Sequence, residues 1–439
     1  MNFNTIRFVA GRSRAGRLVA IAGLAGAMSL VAGNALAAGL LDALPDTEAA
    51  SVEGAPPSPF ASRDRLMRLD YGYMESNVAP RGMDRARDRI RKAPASRRID
   101  IDLFPDLSVT LDRTSLRKAD LGGYEWLGNV RGEDGYALLI VSDDQITGQI
   151  QIGARVFTIS PVAGGVHRVS EIDPASFPPE ESVPAPAPAA PVAAPDPGAN
   201  PEARTTIRVL IPYSRKAKAQ SGNIGQTAKK AIALANLAAR KSGVLIRYRL
   251  AGTVLVRKYR ERSFDADLDK VTGGKGPFRG IPALRNRRKA DLVAVLRKDD
   301  ALYCGLGWYI PTPSNSTSGY GFTVTAQGCV TNHSMTHEMG HNSGLEHDRY
   351  QLIHGEGRSN PPSTDYNFGY TNVGTEIVSI MAYQTECNAS GKFCARVPMF
   401  STPLRTYQGS KIGVGAPSAS AADSARRLNE TRAGVASYR

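Results

Sequence analysis

The sequence predicts an α/β (α+β) domain in the C-terminal half, built on a mixed and mostly parallel sheet, with a small, mostly β domain ahead of it. Three observations lead there. Strands rich in β-branched residues alternate with helical patterns after about residue 204, short turn-separated β segments crowd residues 103–173, and a Pro/Ala-rich stretch at 174–203 divides the two. With 439 residues, 42% of them hydrophobic, the chain can bury two cores of ordinary size.

Four arginines, Arg7, Arg12, Arg14 and Arg17, precede the apolar run LVAIAGLAGAMSLVAG, which ends at Ala35, Leu36 and Ala37. A basic flank, a short apolar run and an A-x-A site read as a cleaved signal peptide over residues 1–37. The run is shorter than the roughly 20 residues a spanning helix needs, so no integral span is expected after signal removal and the protein is expected to be secreted. Residues 38 to about 100 are polar and basic with few large apolar side chains, and read as partly disordered. From Leu103 to Asp173 the segments LSVTLD, YALLIVS, ITGQIQI, ARVFTIS and GVHRVSEI alternate with GEDG, SDD and AGG, the pattern of an antiparallel meander of five or six strands. Residues 174–203 are proline-rich and read as an extended linker open to proteases. A β domain (38–173) tied by such a linker to the domain carrying the chemistry (204–439) has the layout of a zymogen.

The second domain opens with the strand TTIRVLIPYS. A helical pattern runs from Gly222 to Ser242, with Ala231, Leu234, Ala235 and Ala238 on one face. LIRYRLAGTVLV and ADLVAVLR read as further strands, IPALRNRR as a helix or turn, and GYGFTVT as a short edge strand. An extended peptide could add to that edge by main-chain hydrogen bonds.

The formal net charge is +14, and residues 204–439 hold 34 Lys and Arg against 16 Asp and Glu. A solvated basic surface explains this, and a taste for acidic substrates is compatible with it. The basic residues are scattered and no nucleic-acid motif accompanies them, so no nucleic-acid partner is expected. Cys304, Cys329, Cys387 and Cys394 form an even set in an exported chain, so two disulfides are expected. Three pairings are open; Cys387 with Cys394 closes a short loop and Cys304 with Cys329 a longer one. No C-x-x-C pair suggests zinc ligation by these thiols.

The decisive stretch is HEMGHNSGLEHD, residues 337–348. His337 and His341 are one helical turn apart on the same face and can hold one metal together, while Glu338 projects beside it. Gly344 can take the left-handed turn that ends the helix, and His347 then reaches back as third ligand. Three protein ligands leave a position open for water, the mark of a catalytic rather than a structural zinc. Such a zinc activates its water, and Glu338 is placed to act as general base. Four of the six histidines fall within 15 positions; apart from the three ligands, His167, His333 and His354 lack partners at ligand spacing and read as structural or surface residues.

HEMGHNSGLEHD resembles the extended HExxHxxGxxH signature of the metzincin metallopeptidases. The resemblance implies a metzincin-like catalytic domain with a mixed five-stranded sheet, an active-site helix, one catalytic Zn2+ and protein or peptide substrates. It also implies that Met381, in SIMAY about 34 residues after His347, is the methionine of a tight turn beneath the metal. Asp348 is similar to the aspartate of the reprolysin group, a structural hydrogen-bonding residue near that turn. Tyr383 is similar in position to the tyrosine that binds zinc or steadies the oxyanion in astacins and serralysins. A wider resemblance, carried by TTIRVLIPYS, ADLVAVL, CGLGWY, CVTNHSMTHEMGHNSGLEHD and RRLNETRAGVASYR, is to bacterial peptidyl-Asp metalloendopeptidases and related reprolysin-like proteins. It implies cleavage next to acidic residues.

No cysteine precedes Cys304, which excludes a pro-segment cysteine that blocks the metal. An aspartate, a backbone carbonyl or steric cover by residues 38–173 are the open means of latency. The chain is expected to act as a monomer, and a structural calcium is left open. Rival readings are a binding or adhesion protein with a vestigial zinc site, against which intact Glu338 argues, and an amidase acting on cell-wall peptides.

Overall fold

The computed structural model describes residues 39–79, 96–186 and 203–439. The expected signal peptide, and the stretch of the linker from 187 to 202, lie outside the described residues. Among the described residues no helix is long and apolar enough to cross a membrane.

The N-terminal part is a nine-stranded antiparallel sheet, larger than the five or six strands expected. Six strands, from Leu107–Lys118 to Val166–Ile172, follow the meander in chain order. The others are Leu41–Ala43, Ala61–Leu69 and Arg98–Phe104, all at least partly from the segment whose charge reads as disorder. Ala61–Leu69 (ASRDRLMRL) hides its pattern among charged side chains: Arg63 pairs with Asp106 and Glu171, and Asp64 with Arg168 of the strand Val166–Ile172. Its buried Met67 and Leu69 join Trp126, Leu139, Phe157 and Val169 in one core. The N–H of Leu40 donates to the carbonyl of Asp100 at 3.1 Å, so the two ends of the sheet meet.

The second sheet has six strands, in the spatial order Glu180–Pro184, Gly305–Tyr309, Phe322–Ala326, Leu292–Arg297, Thr205–Tyr213, Ile246–Leu255. Two expectations are corrected here. GYGFTVT supplies an interior strand, Phe322–Ala326, and the edge of the catalytic half is Gly305–Tyr309, which runs antiparallel to it. The sheet also has six strands rather than five, because Glu180–Pro184 from the expected linker pairs in parallel with Gly305–Tyr309. The physical reason is that an open edge of unpaired N–H and C=O groups recruits any extended segment, and the flanking prolines hold this one extended.

Between the two sheets lies the helix Ile224–Ser242. The Asn223 side chain caps its N-terminus by accepting from the N–H of Gln226 at 3.1 Å, and Gly243 ends it at φ 74°. Its alanines are thin enough to be covered on both sides. Tyr136, Leu138 and Ile140 of the first sheet and Ile207, Val209 and Leu250 of the second share one core with Ala228, Ala231, Ala235 and Ala238. The closing helix, Ser424–Ala436, is capped by Asp423 and packs Leu428 and Val435 into that core. Disulfides join Cys304 to Cys329 and Cys387 to Cys394. The first ties the start of the edge strand to the turn that leads into the helix Ser334–His341.

Candidate metal centre

The helix Ser334–His341 is buried along its whole length, and it stands His337 and His341 on one face with their rings 4.7 Å apart. Gly344 at φ +93° makes the turn that follows; a Cβ there would be 3.1 Å from the carbonyl oxygen of Pro311. The chain then brings the His347 ring within 4.7 Å of His341 and 5.3 Å of His337. One ligand atom from each of the three lies within 4.8 Å of the others.

The orientation of each ring is set from behind. Nδ1 of His337 faces the carbonyl of Ile380 at 2.8 Å, Nδ1 of His341 the carbonyl of Leu345 at 2.9 Å, and Nδ1 of His347 the Glu356 carboxylate at 2.5 Å. Carbonyls and carboxylates only accept, so each Nδ1 carries a proton, and in a neutral imidazole Nε2 then keeps a lone pair. Nε2 of His337 and of His341 then face each other at 3.0 Å as two acceptors. That contact is repulsive unless a cation stands between them, and the donor set fits a metal. Burial, then the neighbouring histidines, holds His337 and His341 well below the usual histidine range, which keeps both in the neutral, metal-binding form.

Glu338 is fully buried, and neither carboxylate oxygen has a hydrogen-bond partner among the described residues. Burial, then the carboxylates of Glu180 and Glu181, pushes its proton affinity well above the ordinary carboxylate range. Space for it comes from the edge strand. A Cβ on Gly305 would lie 2.3 Å from its Oε1 and one on Gly307 3.0 Å from its Oε2. A carboxylate this deep is costly without a partner, so the site is built for something that supplies one, such as a water bound beside it.

Beneath the histidines is the turn at 379–383. Met381 is fully buried, and a Cβ on Gly340 would meet its Sδ at 2.7 Å, so the glycine lets the sulfur approach the helix. The Asp348 carboxylate accepts from the N–H groups of Tyr383 and Gln351, each at 2.9 Å. The Tyr383 hydroxyl lies 3.4 Å from His347 Nε2 and donates to the carbonyl of Glu180.

Residues 226–348 match the model of the reprolysin-like metallopeptidases, family M12B. A curated relative from Xanthomonas campestris, a peptidyl-Asp metalloendopeptidase, is 28% identical over 373 residues, covering 79% of this chain and 83% of its own length. Residues 226–348 are thus similar to a reprolysin-like metallopeptidase domain. Similarity to solved structures is remote. One, described as a chaperone–substrate complex, gives a TM-score of 0.40 at 16% identity, with 66% of this chain and 43% of that chain covered. Metalloproteinase-II from Bacteroides fragilis gives 0.36 at 11% identity, over 56% of this chain and 80% of that one.

The candidate centre thus brings together His337, Glu338, His341, Gly344, His347, Asp348, Met381 and Tyr383. The other histidines are elsewhere engaged. His167 accepts from the N–H of Ile146 at 3.0 Å, His333 lies 3.4 Å from the Tyr136 hydroxyl, and His354 stacks on Tyr350. The sequence reading missed Gly305, Gly307 and Glu356, and it missed Glu180 with Arg396, treated below. A signal existed for the first two, since the glycines of CGLGWY alternate on one face of a strand; Glu356 had none.

Proposed function

We propose that the chain is a secreted, zinc-dependent endopeptidase made as a latent precursor, with Glu338 as general base. The observation that carries this reading is the convergence of three histidine Nε2 lone pairs beside a buried carboxylate that has no partner of its own. His337, His341 and His347 would hold the zinc, which when bound acidifies water and polarises a carbonyl oxygen. Glu338 takes the proton of the attacking water as its oxygen adds to the scissile carbonyl carbon. When the C–N bond breaks, Glu338 returns that proton to the departing amine nitrogen. The Tyr383 hydroxyl, which donates to the Glu180 carbonyl in this structure, is placed to donate to a substrate carbonyl as charge builds on its oxygen.

Latency follows from Glu180–Pro184. The strand lies along the Gly305–Tyr309 edge where a substrate peptide would add, and it presents a backbone carbonyl at the metal centre. The precursor therefore blocks itself through the stretch just before residues 187–202, without a cysteine. The basic flank and apolar run of residues 1–37, with two disulfides, support export. The excess of basic side chains and the name of the Xanthomonas relative support a preference for acidic residues beside the cleaved bond.

Cleavage of a mixed peptide library by the full chain, before and after a single cut within 187–202, tests the reading. Internal cuts that rise after the cut, stop with a chelator and return with zinc are expected. A zinc-loaded, folded and cut protein that leaves every peptide intact refutes it.

A further inference from the structure

Glu180 stands opposite Gly305 in the parallel pairing, with its carbonyl at the Tyr383 hydroxyl. Its side chain enters a recess between the start of the active-site helix and the stretch after the methionine turn. There Nη1 and Nη2 of Arg396 reach the two carboxylate oxygens, the second at 3.1 Å. The Ser334 hydroxyl donates to Oε1 at 2.6 Å and the Asn332 amide approaches it at 3.4 Å. The pair is almost dry, with side-chain exposures of 10% for Arg396 and 2% for Glu180.

Arg396 is aimed before Glu180 arrives. Its guanidinium donates to the carbonyls of Asn332 and Ala382, both at 3.1 Å. Its strand, Ala395–Arg396, pairs with Ile377–Val378 just ahead of the methionine turn, and the Cys387–Cys394 disulfide closes the loop leading into it. A guanidinium fixed in a dry recess is strongly disfavoured without an anion. When Glu180–Pro184 leaves the cleft, the side chain best able to replace it is another carboxylate, because a neutral one would leave the charge unpaired.

We infer that Arg396, with Ser334 and Asn332, forms the pocket that selects an acidic substrate side chain beside the cleaved bond, and that Glu180 fills this pocket in the intact chain. The inference rests on the endopeptidase reading and deepens it by naming the residues that impose acid preference. Since the Glu180 carbonyl sits at the metal centre, a substrate with an acidic side chain in this recess has a peptide bond of that same residue at the reacting position.

The test uses the full chain cut within 187–202 and peptide pairs that differ only as Glu against Gln, or Asp against Asn, at one position. Wild-type protein should cleave the acidic member faster by about 10- to 100-fold in kcat/KM, the range of a charge-assisted hydrogen bond in a buried site. In Arg396→Gln that ratio should collapse towards one, while in Arg396→Lys, which keeps the charge without the forked geometry, part of it should survive. Zinc content and both disulfides establish that a variant is folded, and the lysine variant carries the test if the glutamine one is not. An acid preference that is absent from wild type, or unchanged in the variants, overturns the inference while leaving a working endopeptidase. No cleavage of any peptide by wild type overturns the endopeptidase reading, and this inference with it.

Discussion

The carboxylate of Asp348 binds the backbone N–H of Tyr383 at 2.9 Å across 35 residues of sequence. Its other oxygen accepts from the N–H of Gln351 at 2.9 Å. One side chain thus fastens the residue after the third histidine to the turn that holds Met381 and Tyr383, at 3% exposure. Asp348→Ala takes the partner from one buried donor, the Tyr383 N–H, and from one half-buried donor, the Gln351 N–H. It should lower unfolding stability by about 2–4 kcal/mol and reduce turnover as the turn loosens, read by urea denaturation beside peptide cleavage. Unchanged stability would show that the turn holds itself.

Gly305 and Gly307 make room for Glu338, so a methyl at Gly305 strikes its side chain, while one at Gly307 meets its carboxylate and, at 3.3 Å, Thr323 of the sheet. Gly305→Ala, whose Cβ would sit 2.3 Å from Oε1, should reduce kcat far more than Gly307→Ala, whose contact is 3.0 Å, with zinc content retained in both. Equal activity of the two variants and wild type contradicts the placement of the carboxylate.

Glu356 accepts from Nδ1 of His347 at 2.5 Å. Removing such an outer partner typically weakens metal binding about 10- to 100-fold. Glu356→Ala should show that loss in a competition titration with a chromogenic chelator, and an affinity equal to wild type would assign the glutamate to surface charge alone.

His167 should make the chain sensitive to acid. Its Nε2 accepts from Ile146 N–H at 3.0 Å, its Nδ1 faces the Gly165 carbonyl at 3.1 Å, and burial pushes it down to about 4. The unfolded chain titrates this group near 6.5, so between those values the unfolded state binds more protons. The stabilising contribution is complete above about pH 6.5 and is lost as pH falls towards 4, a change on the order of 3 kcal/mol. Urea midpoints at pH 7 and pH 4.5 should differ less for His167→Gln than for wild type, and parallel behaviour refutes the assignment.

The parts of this molecule that were legible in the sequence are those whose chemistry is local. His337 and His341 are one turn apart, Gly344 must turn the chain, and His347 follows at a fixed distance, so the three-histidine cluster can be read from twelve residues. The alternation in TTIRVLIPYS and the alanine face before Ser242 likewise announce a strand and a helix. What stayed hidden depends on pairing across long separations. EESVP among prolines reads as linker because its strand exists only against the edge of Gly305–Tyr309. Arg396 is one arginine among many until the fold sets it beside Glu180, 216 residues away. GYGFTVT reads as an edge because a short Gly-flanked strand looks peripheral, whereas Phe322–Ala326 is buried throughout by neighbours on both sides.

Turnover of a mixed peptide set by the cut, full-length chain and by its Glu338→Ala counterpart, each with its bound zinc determined, tests the central claim most directly. With zinc near one per chain in both, wild type should cleave and the variant should lose activity by about three orders of magnitude or more, within the range that general-base catalysis contributes together with the proton returned to the amine. Undiminished cleavage by a zinc-loaded Glu338→Ala protein would contradict the account.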